Sequence, residues 1–145
     1  MRTWHENILV KQVKSPGDLA SETIPAAYID MSDYERIVFE IKVGTLAADS
    51  TIDAQVAQAT SGAGAGTKDI AGALITQLVD ADDDTLVTIE VRDTALDVEG
   101  GFRFVSLEVA VAETAVVGTI TAYLYKGGGL PPTQDAFYAE QVEVA

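Results

Sequence analysis

The chain has 145 residues, 48% of them hydrophobic, enough for one domain that buries a real core without metal or disulfide staples. Its 23 Asp and Glu against 9 Lys and Arg give a formal charge of −14, which argues against a nucleic acid or an anionic membrane as partner, because each phosphate contact needs a cation. There is no cysteine, so thiol catalysis and disulfides are excluded, and no apolar run approaches the roughly 20 residues that span a bilayer. No apolar stretch of the signal-peptide kind stands at the N-terminus, and the expectation is a soluble protein made in the cytoplasm.

Residues 1–27 read as an extended arm with one strand candidate at 8–10, broken by Ser15, Pro16 and Gly17. Three of the nine basic residues, Arg2, Lys11 and Lys14, fall in the first fourteen positions, where a partner is expected to dock. Trp4 reads as a plug that closes the fold or as an anchor on another protein, with the plug favoured. His5 has no Cys or His companion and no serine beside it, so neither metal ligation nor triad chemistry is expected of it.

The β pattern becomes regular at Ala26. Residues 28–31 form a short strand, Ser32 and Asp33 a turn, and residues 35–43 a long strand with Ile37, Phe39, Ile41 and Val43 inward. Arg36, Val38, Glu40 and Lys42 take its other face, which is wet or meets a polar partner surface. Residues 44–50 turn into a β-hairpin at 51–78. There Ile52, Ala54 and Val56 share one face of the first run, and Ile70, Gly72, Leu74, Thr76 and Leu78 share one face of the second.

Between the runs, 61–67 holds three glycines and no large side chain, too little surface to order itself tightly, and reads as a long exposed turn. Its text, SGAGAGTK, is no phosphate loop. That motif needs Gly directly before Lys and then Ser or Thr at a helix start, whereas here the order is Gly66, Thr67, Lys68 with strand alternation following. The even spacing of Gly62, Gly64 and Gly66, outside any βαβ unit, also fails the dinucleotide fingerprint.

The acidic run Asp80, Ala81, Asp82, Asp83, Asp84 lacks the glycine and distant bidentate Glu of a calcium loop and reads as a solvated turn, so no metal site is expected. Residues 86–92 are a strand with Val87, Ile89 and Val91 inward, followed by a loop at 93–101. In 102–112 the apolar phase changes from Phe102 and Phe104 to Val105, Leu107, Val109 and Val111, which predicts a bulge or bend that moves the strand between faces. In 116–126 Ile120, Ala122 and Leu124 oppose Thr121, Tyr123 and Tyr125. Residues 127–132 are a Gly/Pro linker, and 136–144, with Phe137, Tyr138, Val142 and Val144, is expected to add a strand to its own sheet or to a neighbouring subunit.

These elements predict an all-β chain, an antiparallel sandwich of the jelly-roll kind at 28–126 with an N-terminal arm (1–27) and a C-terminal tail (127–145). Catalysis is not expected. Only carboxylates are on offer, no His, Cys or Ser constellation accompanies them, aromatics are 7%, and no cofactor motif is present.

Residues 50–112 resemble a pattern found in small structural proteins from the head-gene region of tailed bacteriophages and prophages. The shared features are D-A-Q-V-x-Q-A-T at 53–60, a small-residue loop ending G-x-K-D-I-x-G at 66–72, I-T-Q-L at 75–78, and G-[FY]-R-[FY]-V-x-L-x-V at 101–109. The resemblance implies a capsid decoration or cement protein without an active site. Such a protein would bind the outside of the expanded shell, commonly as a homotrimer, and hold neighbouring major capsid subunits together. Its partners would then be the major capsid protein and itself, and its place the virion exterior after synthesis in the host cytoplasm. Docking is expected through the two ends, by Arg2, Trp4, Lys11 and Lys14 and by Phe137, Tyr138, Val142 and Val144. The alternatives are a tail or neck component of the same particle, or a carbohydrate-binding module that stacks sugars on Tyr123 and Tyr125.

Overall fold

In a computed structural model, which describes residues 4–113, 116–127 and 133–134, a single helical turn (Trp4–Asn7) precedes eight strands. These are β1 (Ile8–Leu19), β2 (Glu22–Asp30), β3 (Arg36–Val43), β4 (Thr51–Ala59), β5 (Lys68–Leu74), β6 (Leu86–Arg92), β7 (Phe104–Ala112) and β8 (Val116–Tyr125). They form two four-stranded antiparallel sheets, ordered β1-β8-β3-β6 and β2-β7-β4-β5. Strands 1 and 8, 2 and 7, 3 and 6, and 4 and 5 are therefore partners, so the chain is one long hairpin rolled into a sandwich. This is the jelly roll expected from the sequence.

Alternation drives the packing. Every second residue of β3 and β8 points between the sheets, and Ile37, Phe39, Ile41, Ile120, Ala122 and Leu124 are fully buried there. Ile52 and Val56 of β4 and Val105 and Leu107 of β7 meet them from the other sheet. The hairpin at 51–78 is present as β4 paired with β5.

Four sequence expectations change. Residues 8–27 are not an arm: β1 runs along β8 from Ile8 to Leu19, and β2 runs along β7, with Leu9, Leu19, Ile24 and Ile29 in the core. Ser15, Pro16 and Gly17 do not break β1, because it is an edge strand whose register slips between Gln12 and Lys14 and again between Lys14 and Gly17. An edge tolerates a residue that cannot donate to a ladder.

The bulge expected in 102–112 is absent. β7 pairs with β4 in unbroken register from Phe104 to Ala112, with Val105, Leu107 and Val109 inward throughout. Phe104 lies outward under the Arg103 guanidinium, 5.0 Å from the ring centroid, and Phe102, ahead of the strand, lies 4.0 Å below the Lys68 ammonium. The phase change in the sequence marks two aromatics covered by cations.

Irregularities sit instead in the outer strands of the same sheet: in β2, whose register with β7 shifts between Ile24 and Ile29, and in β5, where Gly72 has φ +79° and the register with β4 shifts between Gln55 and Ala57. Ile70 and Ala73 are consequently buried, while Leu74 turns outward, 56% exposed.

The glycine loop at 61–67 is also ordered. Thr60 N–H and its hydroxyl both donate to the Ala65 carbonyl, Gly64 N–H to Ser61, and Tyr28 N–H to Gly62. Hydrogen bonds supply the order that side-chain burial does not.

Candidate functional site

Because strands alternate, the sheet β1-β8-β3-β6 presents an outer face made of rows running across it. One row joins Ile8, Tyr125, Arg36 and Arg92, and the next joins Val10, Tyr123, Val38 and Glu90. Ile8, Arg36, Val38, Glu90, Tyr123 and Tyr125 enclose a shallow groove of about 420 Å³. The Arg36 guanidinium lies 5.2 Å from the Tyr125 ring centroid, and its Nη1 donates to Glu90 Oε1 at 3.4 Å. Arg92 Nε reaches the same carboxylate at 3.6 Å, so one glutamate holds both arginines beside the groove. The Arg36 Nε is buried and has no acceptor among the described residues. Tyr123 donates from its hydroxyl to Glu40 Oε1 at 3.3 Å.

Both described ends of the chain arrive at this face. Trp4, 47% exposed, meets the Tyr123 ring edge-on with centroids 6.3 Å apart. It is therefore no buried plug. Gln134 approaches from the other end, where its Oε1 accepts from Val10 N–H at 2.9 Å and its Nε2 donates to the Ile8 carbonyl at 2.6 Å. Those two backbone groups lie on the free edge of β1, and the side-chain amide satisfies them as a ninth strand would.

The two outer faces differ in charge. On the sheet with the groove, Arg36, Lys42 and Arg92 are matched by Asp18, Glu40 and Glu90 at outward strand positions. On the opposite sheet, Asp30, Asp53, Asp69 and Glu108 stand at outward positions of the strands with no lysine or arginine among them. A wider depression of about 590 Å³ there runs past Asp53, Gln55, Leu74 and Glu108. The groove side thus carries cations and carboxylates in equal number, where the opposite side carries carboxylates alone at outward strand positions.

Two carboxylates have acidities set by their neighbours. Burial pushes Asp30 upward, but hydrogen bonds from the Ser32 hydroxyl and amide and the charge of Arg103 outweigh it and leave the group below its ordinary value. The Lys68 ammonium bonded to Asp97, with the Gly100 amide at 3.0 Å, holds Asp97 low as well. In the acidic turn, Asp83 accepts from Leu46 N–H at 2.6 Å and Asp82 from Val79 N–H at 2.9 Å. These carboxylates shape the loop. Among the described residues, no group of three or more His, Cys, Asp or Glu is placed to hold a metal ion.

Of the residues expected to bind a partner, Trp4, Lys11 and Lys14 lie on one side of the sandwich, on or beside β1, and Lys14 is paired with Glu22. Arg2, Phe137, Tyr138, Val142 and Val144 lie outside the described residues. The sequence reading did not find Arg36, Glu90 or Gln134. Arg36 and Glu90 sit 54 positions apart, and only the pairing of β3 with β6 brings them together.

Fold and site define a jelly-roll sandwich with a one-sided, aromatic and cation-bearing outer face. No protein-family model matches the chain, and no curated protein matches it. Among solved structures, a chain in the structure of the infectious bursal disease virus Gx strain overlays at TM-score 0.55 with 13% identity, over 86% of this chain. This chain spans about a third of that one (33%), and the likeness is one of fold. A chain from Bacillus endospore appendages, described as disulfide-linked pili, overlays at TM-score 0.37 with 12% identity, covering 82% of this chain and 88% of that one. That overlay is too loose to define a shared fold.

Proposed function

We propose that this chain is a structural virion protein that binds the outside of a tailed-phage capsid and cements neighbouring major capsid subunits, acting as a homotrimer. The observation that carries the reading is the convergence of Trp4, the β1 lysines and Gln134 on one side of a rigid sandwich. A surface on which Trp4 and Gln134 meet beside β1 can contact more than one lattice subunit at once, and such multivalent attachment resists the loss of any single contact. The phage head-protein resemblance of residues 50–112 and the fold shared with a virus chain support the same class.

The carbohydrate reading is less favoured because the ring surfaces it needs are engaged. Arg36 lies over Tyr125, and Trp4 abuts Tyr123.

The test is addition of the purified protein to expanded capsids that lack it, with sedimentation to count bound copies and cryo-electron imaging to place them. Saturable binding at threefold positions is expected, with a trimer mass in analytical ultracentrifugation. Density on tails or necks alone would replace the cement reading with the tail-component one.

A further inference from the structure

A sandwich of two open sheets has four edges, here β1 and β6 in one sheet and β2 and β5 in the other. An exposed edge offers a row of unpaired N–H and C=O groups to any strand that approaches, and proteins that avoid such pairing interrupt the edge. Three of these edges are interrupted. β1 carries Pro16, two register slips and the Gln134 amide on Ile8 and Val10. β2 carries Pro25 and a register shift between Ile24 and Ile29, and β5 bends at Gly72, whose φ is +79°. β6 has no such device. It pairs with β3 in unbroken register from Leu86 to Arg92, and none of its residues is proline, glycine or lysine.

The free groups of β6 follow from its ladder. Asp93 N–H donates to the Glu35 carbonyl at 2.9 Å and Val43 N–H to the Thr85 carbonyl at 3.1 Å, so the odd-numbered residues of this segment exchange hydrogen bonds with β3. In an antiparallel ladder the residues between them turn their backbone groups the other way. Leu86, Thr88, Glu90 and Arg92 therefore direct N–H and C=O off the sheet, and no hydrogen bond among the described residues meets these groups.

The sequence of β6, LVTIEVR, suits an antiparallel copy of itself. A two-fold axis at Ile89 sets Thr88 opposite Glu90, and Leu86 opposite Arg92, of the second copy. The outward groups of each strand then all enter the new ladder, and no two like charges face each other. The aliphatic stem of Arg92 would cover Leu86, which is exposed. An axis at Glu90 would set two carboxylates face to face, and one at Thr88 would leave Arg92 without a partner residue.

We propose that β6 pairs with β6 of a second copy of this chain, antiparallel about an axis at Ile89, and so joins two four-stranded sheets into one continuous sheet. The inference goes beyond the capsid reading and stands without it, since the contact doubles whatever unit carries it, monomer or trimer. Each copy has a charge of −14, so pairing should tighten as salt screens the repulsion between copies.

The test uses the full chain at high salt over a range of concentrations. Analytical ultracentrifugation is expected to show the mass doubling as concentration rises. Amide exchange at Thr88 and Glu90 should slow severalfold over the same range, while Ile89, bonded to β3, stays slow throughout. Thr88→Lys, which changes only an exposed side chain, and Thr88→Pro, which removes an N–H that β3 does not use, should each prevent the doubling and leave Glu90 exchanging fast. Thr88→Cys with Glu90→Cys should give an interchain disulfide on mild oxidation, since facing Cα atoms in such a pair lie about 5.5 Å apart. A mass that does not change with concentration would overturn the proposal. So would a doubling that Thr88→Lys leaves intact, or slow exchange at Thr88 and Glu90 already in the dilute chain.

Discussion

A Cβ on Gly118 would stand 2.6 Å from the Lys42 carbonyl oxygen and 2.7 Å from Leu19 Cδ1, so this glycine is where β8 passes too close to its neighbours for any side chain. Gly118→Ala should destabilise the fold by about 2 kcal/mol through overpacking against backbone that cannot yield, read as a lower urea midpoint with unchanged slope. An unchanged midpoint would mean that β3 and β8 slide apart at little cost. Gly72 presents the opposite case. Nothing lies within 4 Å of its added Cβ, but φ is +79°, so Gly72→Ala should cost about 1 kcal/mol from backbone strain alone. Asp97 and Asp30 set a pH dependence. Each carboxyl is held below its ordinary value in the folded state, so its contribution is complete above the unfolded value near about 3.9 and is lost as pH falls through the folded one. Thermal unfolding of Asp97→Asn should therefore fall less steeply between about pH 5 and pH 3 than that of the parent chain. Parallel curves would show that the Lys68 contact adds nothing to folding.

Elements were legible where alternation was clean and both flanks were turns. Residues 36–43, 86–92 and 116–125 each carry an uninterrupted inward set, and each is a strand with that set buried, save Val87 at the start of β6, which is half-buried. Legibility failed where a local signal had a tertiary answer. Pro16 and Gly17 read as a break because the sequence does not say that β1 is an edge, and Leu74 read as sharing the face of Ile70, which it does not, because one glycine turns the phase of β5. The consequence for truncation is direct. Removing residues 1–14 takes away the half of β1 that pairs with residues 120–125 and removes Leu9 from the core, so that deletion should abolish cooperative unfolding and collapse the amide spectrum. Removing residues 1–3 should leave both intact. A folded product of the longer deletion would mean that the sandwich closes without its first strand.

At the scale of the molecule, the site exists because the rolled hairpin places the beginning of β1, the end of β8 and the beginning of β3 side by side. Ile8, Tyr125 and Arg36 share a row although they stand far apart in sequence. Periodicity showed that Tyr123, Tyr125, Arg36 and Val38 point outward, but not that they meet, because strand order is fixed by nesting and leaves no local mark. The β1 side then carries two kinds of residue with separable effects in the proposed capsid contact. Trp4 is a large, half-exposed aromatic steadied by Tyr123, the type of side chain that anchors an interface once water is excluded. Lys11 offers charge in a chain of net −14, where long-range repulsion from an acidic partner surface would otherwise slow every encounter. Trp4→Ala should weaken binding to expanded capsids by about 2 kcal/mol or more, chiefly through faster dissociation and with little change in salt dependence. Lys11→Glu should instead slow association and flatten its salt dependence, leaving dissociation nearly unchanged. Surface-immobilised capsids and a salt series separate the two. If Trp4→Ala left dissociation untouched, or both variants altered the same rate, the β1 side would not be the docking side, and the convergence of the two chain ends would serve the sandwich alone.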